Sequence, residues 1–271
     1  MIIRLYWWQE KRKDSLQNYG DLMSLYLTRK LSKKIVISKN HFLKKILNRL
    51  IKTYYICIGS VLFAANKNTV VWGGGIMRKD EKVNNATFLA VRGPRTRKRL
   101  LELNYTVPEV YGDPAILLPM FYENNTSKKY KIGIIPHFVD YEIVNNKFDH
   151  NNTIKVINLL TKDVEKTTDE ILECENIISS SLHGVIVGQS YRIPSLWVKF
   201  SNKLSGDDIK FYDYFESMNI YLKKEIFVNP NSLSIKKIED LLDENKTVLL
   251  QEEDVLELRK KDLLKSCPFV K

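Results

Sequence analysis

The run Ser179-Ser180-Ser181-Leu182-His183-Gly184 concentrates more chemical capacity than any other stretch of the chain. Serine hydroxyls can donate to an anion, and an imidazole can move a proton near neutral pH. Asn176 to Ile178 read as the end of a buried strand, and Val185-Ile186-Val187 begin a short apolar helix that stops before Pro194. Ser195 to Val198 read as the next strand. A helix start carries free N–H groups and a partial positive charge, so it holds phosphate or carboxylate. His183 falls in that first turn, beside such an anion. Helix capping accounts for the serines equally well, and a lone histidine is more often structural than catalytic.

Four other places share this character. Asn18-Tyr19-Gly20-Asp21 follows a first strand, Ile2 to Trp7, and precedes a helix from Asp21 to Leu31. There Gly20 eases the turn, and Asn18 and Asp21 face outward from a strand's carboxyl end, where α/β sheets bind ligands; capping explains Asp21 as readily. Gly73-Gly74-Gly75 follows the strand Thr69 to Trp72 and permits close backbone approach, although its spacing matches neither a dinucleotide fingerprint nor a Walker loop. Arg92 ends the strand Thr87 to Val91, and Pro94 and Arg95 open the helix that runs to Leu103. A guanidinium there suits bidentate pairing with carboxylate or phosphate. His137 follows the strand Lys131 to Ile135.

These residues need an α/β scaffold, and the remaining pattern supplies one. Strands are predicted at Ile35 to Ile37, Tyr54 to Ile58 and Thr153 to Ile157, and Val107 to Tyr111 leads into Gly112-Asp113-Pro114 and an apolar turn to Pro119. Helices are predicted at His41 to Ile51, Ser60 to Ala65, Thr168 to Glu173, Ser234 to Asp243 and Glu252 to Lys265. The aromatic segment Phe211 to Phe215 reads as a loop over the cleft. Polar residues 123–129 read as a linker between an N-terminal domain, 1–122, and a C-terminal domain, 123–271, that repeats the α/β pattern.

At 271 residues, 44% hydrophobic and 28% charged, the chain is globular. No apolar run approaches the roughly 20 residues a membrane-spanning helix needs, and the apolar start lacks a basic leader and a small-residue cleavage site. Cys57, Cys174 and Cys267 have no metal-ligand spacing, so neither a disulfide framework nor a metal site is expected, and a reducing cytoplasm is. The formal charge of +11 comes without a nucleic-acid-binding signature. It fits a compositional bias, anionic ligands or an anionic membrane surface.

Taken in order, Asn18-x-Gly20-Asp21, the glycine turn after Trp72, Arg92-Gly93-Pro94-Arg95-Thr96, Tyr111-Gly112-Asp113-Pro114 and Ser179-Ser180-Ser181-Leu182-His183-Gly184 resemble the bacterial polysaccharide pyruvyltransferase family over roughly residues 1 to 225. The resemblance implies two Rossmann-like domains facing a cleft in a glycosyltransferase-B-like arrangement. It implies transfer of pyruvate from phosphoenolpyruvate to two hydroxyls of one sugar, giving a pyruvate ketal and phosphate without a cofactor. By the same resemblance, His183 is the candidate general acid, Arg92 the donor anchor, and residues Ser179, Ser180, Ser181 and Leu182 the anion cradle. Asp21 and His137 are candidates for the acceptor side, with Asn18, Gly20, Gly73, Gly74, Gly75, Arg95 and Lys199 completing the substrate-binding set. Many relatives carry arginine two residues before the motif histidine; here Ser181 stands there, and Arg92, Arg95, Arg192 or Lys199 is expected to supply the charge. The expected acceptor is a lipid-linked oligosaccharide of exopolysaccharide or capsule biosynthesis. The expected location is cytoplasmic, with peripheral contact at the inner membrane and no nucleic-acid partner. A nucleotide-sugar glycosyltransferase and a non-catalytic capsule-assembly scaffold are the competing readings.

Overall fold

The computed structural model describes residues 2–41, 46, 50–148 and 151–270. Most of the helix expected from His41 to Ile51 falls outside the described residues. The strands are β1 (Ile2–Tyr6), β2 (Gln17–Asn18), β3 (Ile35–Ser38), β4 (Tyr54–Ile56), β5 (Thr69–Trp72), β6 (Thr87–Ala90), β7 (Tyr130–Ile135), β8 (Ile154–Val156), β9 (Leu160–Thr161), β10 (Cys174–Ser179) and β11 (Ser195–Trp197). The helices are α1 (Tyr19–Ser32), α2 (Pro94–Glu102), α3 (Tyr141–Phe148), α4 (Val164–Leu172), α5 (Leu182–Ser190), α6 (Ile209–Ser217), α7 (Ile235–Glu244) and α8 (Glu253–Lys265).

Two parallel sheets form the frame: β3-β1-β4-β5-β6 and β11-β10-β7-β8. The short strand β2 leaves the first half to pair antiparallel with β9 of the second, Gln17 opposite Thr161. A single apolar cluster runs through both halves, from Leu5 and Met23 to Val185 and Leu256. Its centre is the 3-10 turn Pro114–Met120, in which Ala115, Ile116, Leu117 and Leu118 are fully buried. The isoleucine and the two leucines each contribute about 1.5–3 kcal/mol by burial. The turn packs against both α1 and α5 and sets their separation. Helix α5 is mainly apolar and buried along its length apart from His183, which faces the cavity.

Several expectations are corrected here. Helix α1 starts two residues earlier than expected: the Asn18 side chain accepts from the Gly20 N–H at 3.0 Å and is the cap. Asp21 is therefore released from capping. Tyr111 forms an isolated parallel bridge with Val91. The segment Phe211 to Phe215 is not a loop but the body of α6, with Phe211 stacked on Trp197 at 4.3 Å. Residues 123–129 have no regular structure.

Helix α6 is held to the first half by a fully buried ion pair. Arg92 Nε donates to Asp213 Oδ2 at 3.0 Å, Nη1 to Ser60 Oγ at 2.6 Å and Nη2 to the Ile76 carbonyl at 2.7 Å. Asp213 also accepts from the Thr96 N–H and hydroxyl. Every nitrogen and both carboxylate oxygens are satisfied, so the pair is costly to open from one side. Asp213→Ala is expected to destabilise the fold by about 3–5 kcal/mol, lowering the urea midpoint. The double change Arg92→Met with Asp213→Leu is expected to cost less than either half alone.

Candidate active site

The two helix starts that the sequence singles out meet in space. His183, in the first turn of α5, lies flat against Gly20, in the first turn of α1: a Cβ added at Gly20 would stand 1.9 Å from His183 Nδ1. Only glycine permits that approach. On its other edge, Nε2 faces Asp113 Oδ2 at 3.7 Å. Both atoms are buried, and neither has a hydrogen-bond partner among the described residues. The second oxygen, Asp113 Oδ1, accepts from the Ala115 N–H at 3.0 Å and caps the 3-10 turn. One carboxylate thus anchors the central turn and orients the imidazole. Such contacts are often long without substrate and tighten when it binds.

Beside this pair opens a cavity of about 410 Å³. Its wall takes Ser181, Leu182 and His183 from the start of α5, Asn18 and Asp21 from the start of α1, and His137 after β7. Ser181 occupies the cap position of α5, yet its side chain makes no capping bond. Its hydroxyl, and the leading N–H groups of α5, are positioned for an anion. Lys203 and Lys210 supply the cations on this wall.

Burial shifts three groups. The Asp21 carboxyl is pushed up to about 7, chiefly by desolvation; Glu10 raises it further, while His183 and Lys210 pull it down. Desolvation, reinforced by Lys210, pushes His137 down to about 4, so its imidazole is neutral at physiological pH. Burial, with Arg92 nearby, lowers the Lys210 ammonium to about 8. A carboxyl titrating near 7 can give or take a proton.

Other expected residues lie away from this cavity. Arg92 is fully buried on Asp213 and reaches the cavity wall only through Ser60, which lines it. Arg95 pairs with Glu216 at 2.6 Å, Lys199 with Asp208 at 2.6 Å, and Arg192 with Glu253 at 3.1 Å. The Gly73 to Gly75 turn serves packing: a Cβ on Gly75 would lie 2.3 Å from Arg92 Cζ, one on Gly74 2.8 Å from Ile56, and one on Gly73 2.2 Å from Pro114. Ser179 Oγ donates within the strand-to-helix turn, to the carbonyls of Ile135 and Ser181, and Ser180 Oγ accepts from the His137 N–H. These two serines shape the turn, and Ser181 faces the cavity. Sequence reasoning passed over Asp113, although Gly112-Asp113-Pro114 was a visible motif, and over Lys210, Lys203, Glu10, Trp8 and Phe63.

Parallel sheets, a cavity where helix starts meet, a buried carboxylate–imidazole pair and a cationic wall define an α/β protein equipped for proton transfer beside an anion. The polysaccharide pyruvyl transferase family model matches residues 5–202, and the chain belongs to that family. An uncharacterized protein of Acanthamoeba polyphaga mimivirus is 35% identical over 192 residues, a stretch that covers 66% of this chain and 66% of that protein.

The Gly20–His183 contact is directly testable. Gly20→Ala must displace the imidazole, and overpacking of this kind costs about 1–3 kcal/mol. Adding His183→Ala to that variant removes the clash. The double variant is therefore expected to be more stable to urea than Gly20→Ala alone, a non-additivity that a merely helix-favouring alanine would not produce.

Proposed function

We propose that the protein transfers pyruvate from phosphoenolpyruvate to two hydroxyls of one sugar in a lipid-linked oligosaccharide precursor, forming a pyruvate ketal and releasing phosphate. The observation that carries this reading is the convergence, in one cavity, of His183 backed by Asp113, an Asp21 that titrates near 7, and a cationic anion-binding wall.

In this reading Lys210, Lys203, Ser181 and the start of α5 hold the donor's phosphate and carboxylate. His183 delivers a proton to the donor's methylene carbon, and the adjacent carbon becomes electrophilic. A sugar hydroxyl attacks that carbon and Asp21 accepts its proton. The carbon–oxygen bond to phosphate then breaks. The second hydroxyl takes the vacated position, its proton returns to His183, and phosphate carries away the proton held by Asp21. His137, neutral at physiological pH, contributes hydrogen bonding rather than charge. Asp113 is a positioning residue for His183. The two sheets are read as two Rossmann-like units, residues 1–122 and 123–271, in a glycosyltransferase-B-like arrangement around the cavity. The charge of +11 supports work at the cytoplasmic face of an anionic membrane. Among the described residues no helix is long and apolar enough to cross a membrane.

Phosphoenolpyruvate is expected to raise the melting temperature, whereas nucleoside diphosphates are not; the reverse would favour a nucleotide-sugar glycosyltransferase. Acceptor-dependent phosphate release is expected to fall at least about 10²-fold in His183→Ala. Release that survives this change would move the acid elsewhere.

The pH profile follows from two groups. The Asp21 carboxylate accumulates as pH rises through about 7, so base-dependent turnover rises there. The Lys210 ammonium is lost as pH rises through about 8, so donor affinity falls there. A bell-shaped profile of kcat/KM for phosphoenolpyruvate is expected. Asp21→Asn should abolish the acid limb, and Lys210→Arg should carry the alkaline limb upward, because a guanidinium stays charged.

A further inference from the structure

The cavity has a second wall that proton transfer and anion binding leave without a task. Trp8 and Glu10 follow β1, and Phe63 stands in the 3-10 turn Leu62–Ala64; all three line the same cavity as Asp21 and His183. Trp8 is 48% exposed and Phe63 46% exposed. Their rings meet edge to face at 6.2 Å, and Phe63 meets Tyr6 in the same way at 6.4 Å. The segment is exposed but held firmly. The Glu10 N–H donates to the Gln17 side chain at 3.1 Å, the Gln17 amide returns a bond to the Glu10 carbonyl at 2.9 Å, and Gln9 accepts from Ser38 at 2.9 Å. Large aromatic rings that are held in place yet left half exposed on a cavity wall are poised for a ligand.

We infer that this wall is the acceptor subsite: the pyranose ring of the sugar packs its C–H face on Trp8 and Phe63 while its hydroxyls donate to the Glu10 carboxylate. The assignment rests on the pyruvyltransferase reading above. Charge decides which substrate goes where. Phosphoenolpyruvate is an anion, drawn to Lys203 and Lys210 and repelled by Glu10. A neutral polyhydroxylated ring is compatible with Glu10, whose carboxylate stands 3.7 Å from the Arg12 guanidinium in a long ion pair. Asp21 lines the same cavity within electrostatic reach of both Glu10 and Lys210, as a base shared between acceptor and donor must.

Trp8 is also its own reporter, since Trp7, Trp72 and Trp197 are buried. Methyl glycosides of galactose, mannose and N-acetylmannosamine are titrated into the whole protein, with acrylamide quenching of tryptophan fluorescence as readout. At least one glycoside is expected to protect Trp8 from quenching, a signal absent in Trp8→Phe. In turnover, Trp8→Ala is expected to raise the acceptor KM about tenfold, roughly the value of one aromatic contact, with the donor KM and the donor's thermal stabilisation unchanged. No protection by any of the three, or protection with an unchanged acceptor KM in Trp8→Ala, overturns the subsite. A loss of donor stabilisation in Trp8→Ala also overturns it, since the wall would then serve the donor. If wild-type protein is not stabilised by phosphoenolpyruvate, the pyruvyltransferase reading fails instead, and glycoside protection reports on the wall independently of it.

Discussion

The site depends on one contact, the imidazole of His183 laid against Gly20 with its far edge turned to Asp113. It forces the starts of α1 and α5 together although they belong to different sheets. The Pro114–Met120 turn makes the approach possible by packing against both helices, and Asp113 is the cap of that turn. Position and chemistry are therefore joined in one side chain. Moving Asp113 would loosen the turn that spaces the helices and also remove the group that faces the ring. A site built this way is specified by core packing rather than by loops, and cores resist continuous deformation.

Placement of charge follows the same economy. Arg92 and Asp213 close on one another in the dark between α2 and α6, and that pair fixes α6, the helix that carries Lys210 to the cavity. An arginine that looks like an anion anchor instead holds the scaffold for a lysine that can be one. Each nitrogen of Arg92 is engaged, by Asp213, Ser60 or Ile76, and the side chain is fully buried, so it does not reach the cavity itself. Lys210 is desolvated and lies in the field of Arg92, with Asp208 and Asp21 in partial compensation; a bound anion would favour its charged form and relieve part of that cost.

What the sequence made legible was local. Strand, turn and helix start follow from patterning and capping chemistry, which act over a few residues, so Asn18, Asp21, Ser181 and His183 could be read as a group at helix starts. Arg92 could not be read correctly, because its partner lies 121 residues away. That partner sits in a segment whose aromatic residues suggested a loop, while tertiary packing of Phe211 on Trp197 makes it a helix. The same misreading hid Lys210. Three consecutive glycines suggested a ligand, but close approach to Pro114, Ile56 and Arg92 uses them up. Glycine reports that something comes near; it does not say whether that is substrate or protein.

Ser181 shows how the charge of such a site can be redistributed. Where the resemblance leads one to expect a fixed cation two residues before the histidine, this chain has a hydroxyl and a bare helix start, and its cations come from Lys203, ahead of α6, and Lys210, in the first turn of α6. A guanidinium is charged at any physiological pH. A lysine lowered to about 8 is not, and the carboxyl of Asp21, raised to about 7, stands within its field. Burial moves both toward their neutral forms, and each favours the charged form of the other. An anion entering the cationic wall favours the ammonium and, by repulsion, the protonated form of Asp21. Binding and proton position are thus linked through one dry volume, and that linkage is a consequence of using a buried lysine where an arginine would have been indifferent to pH.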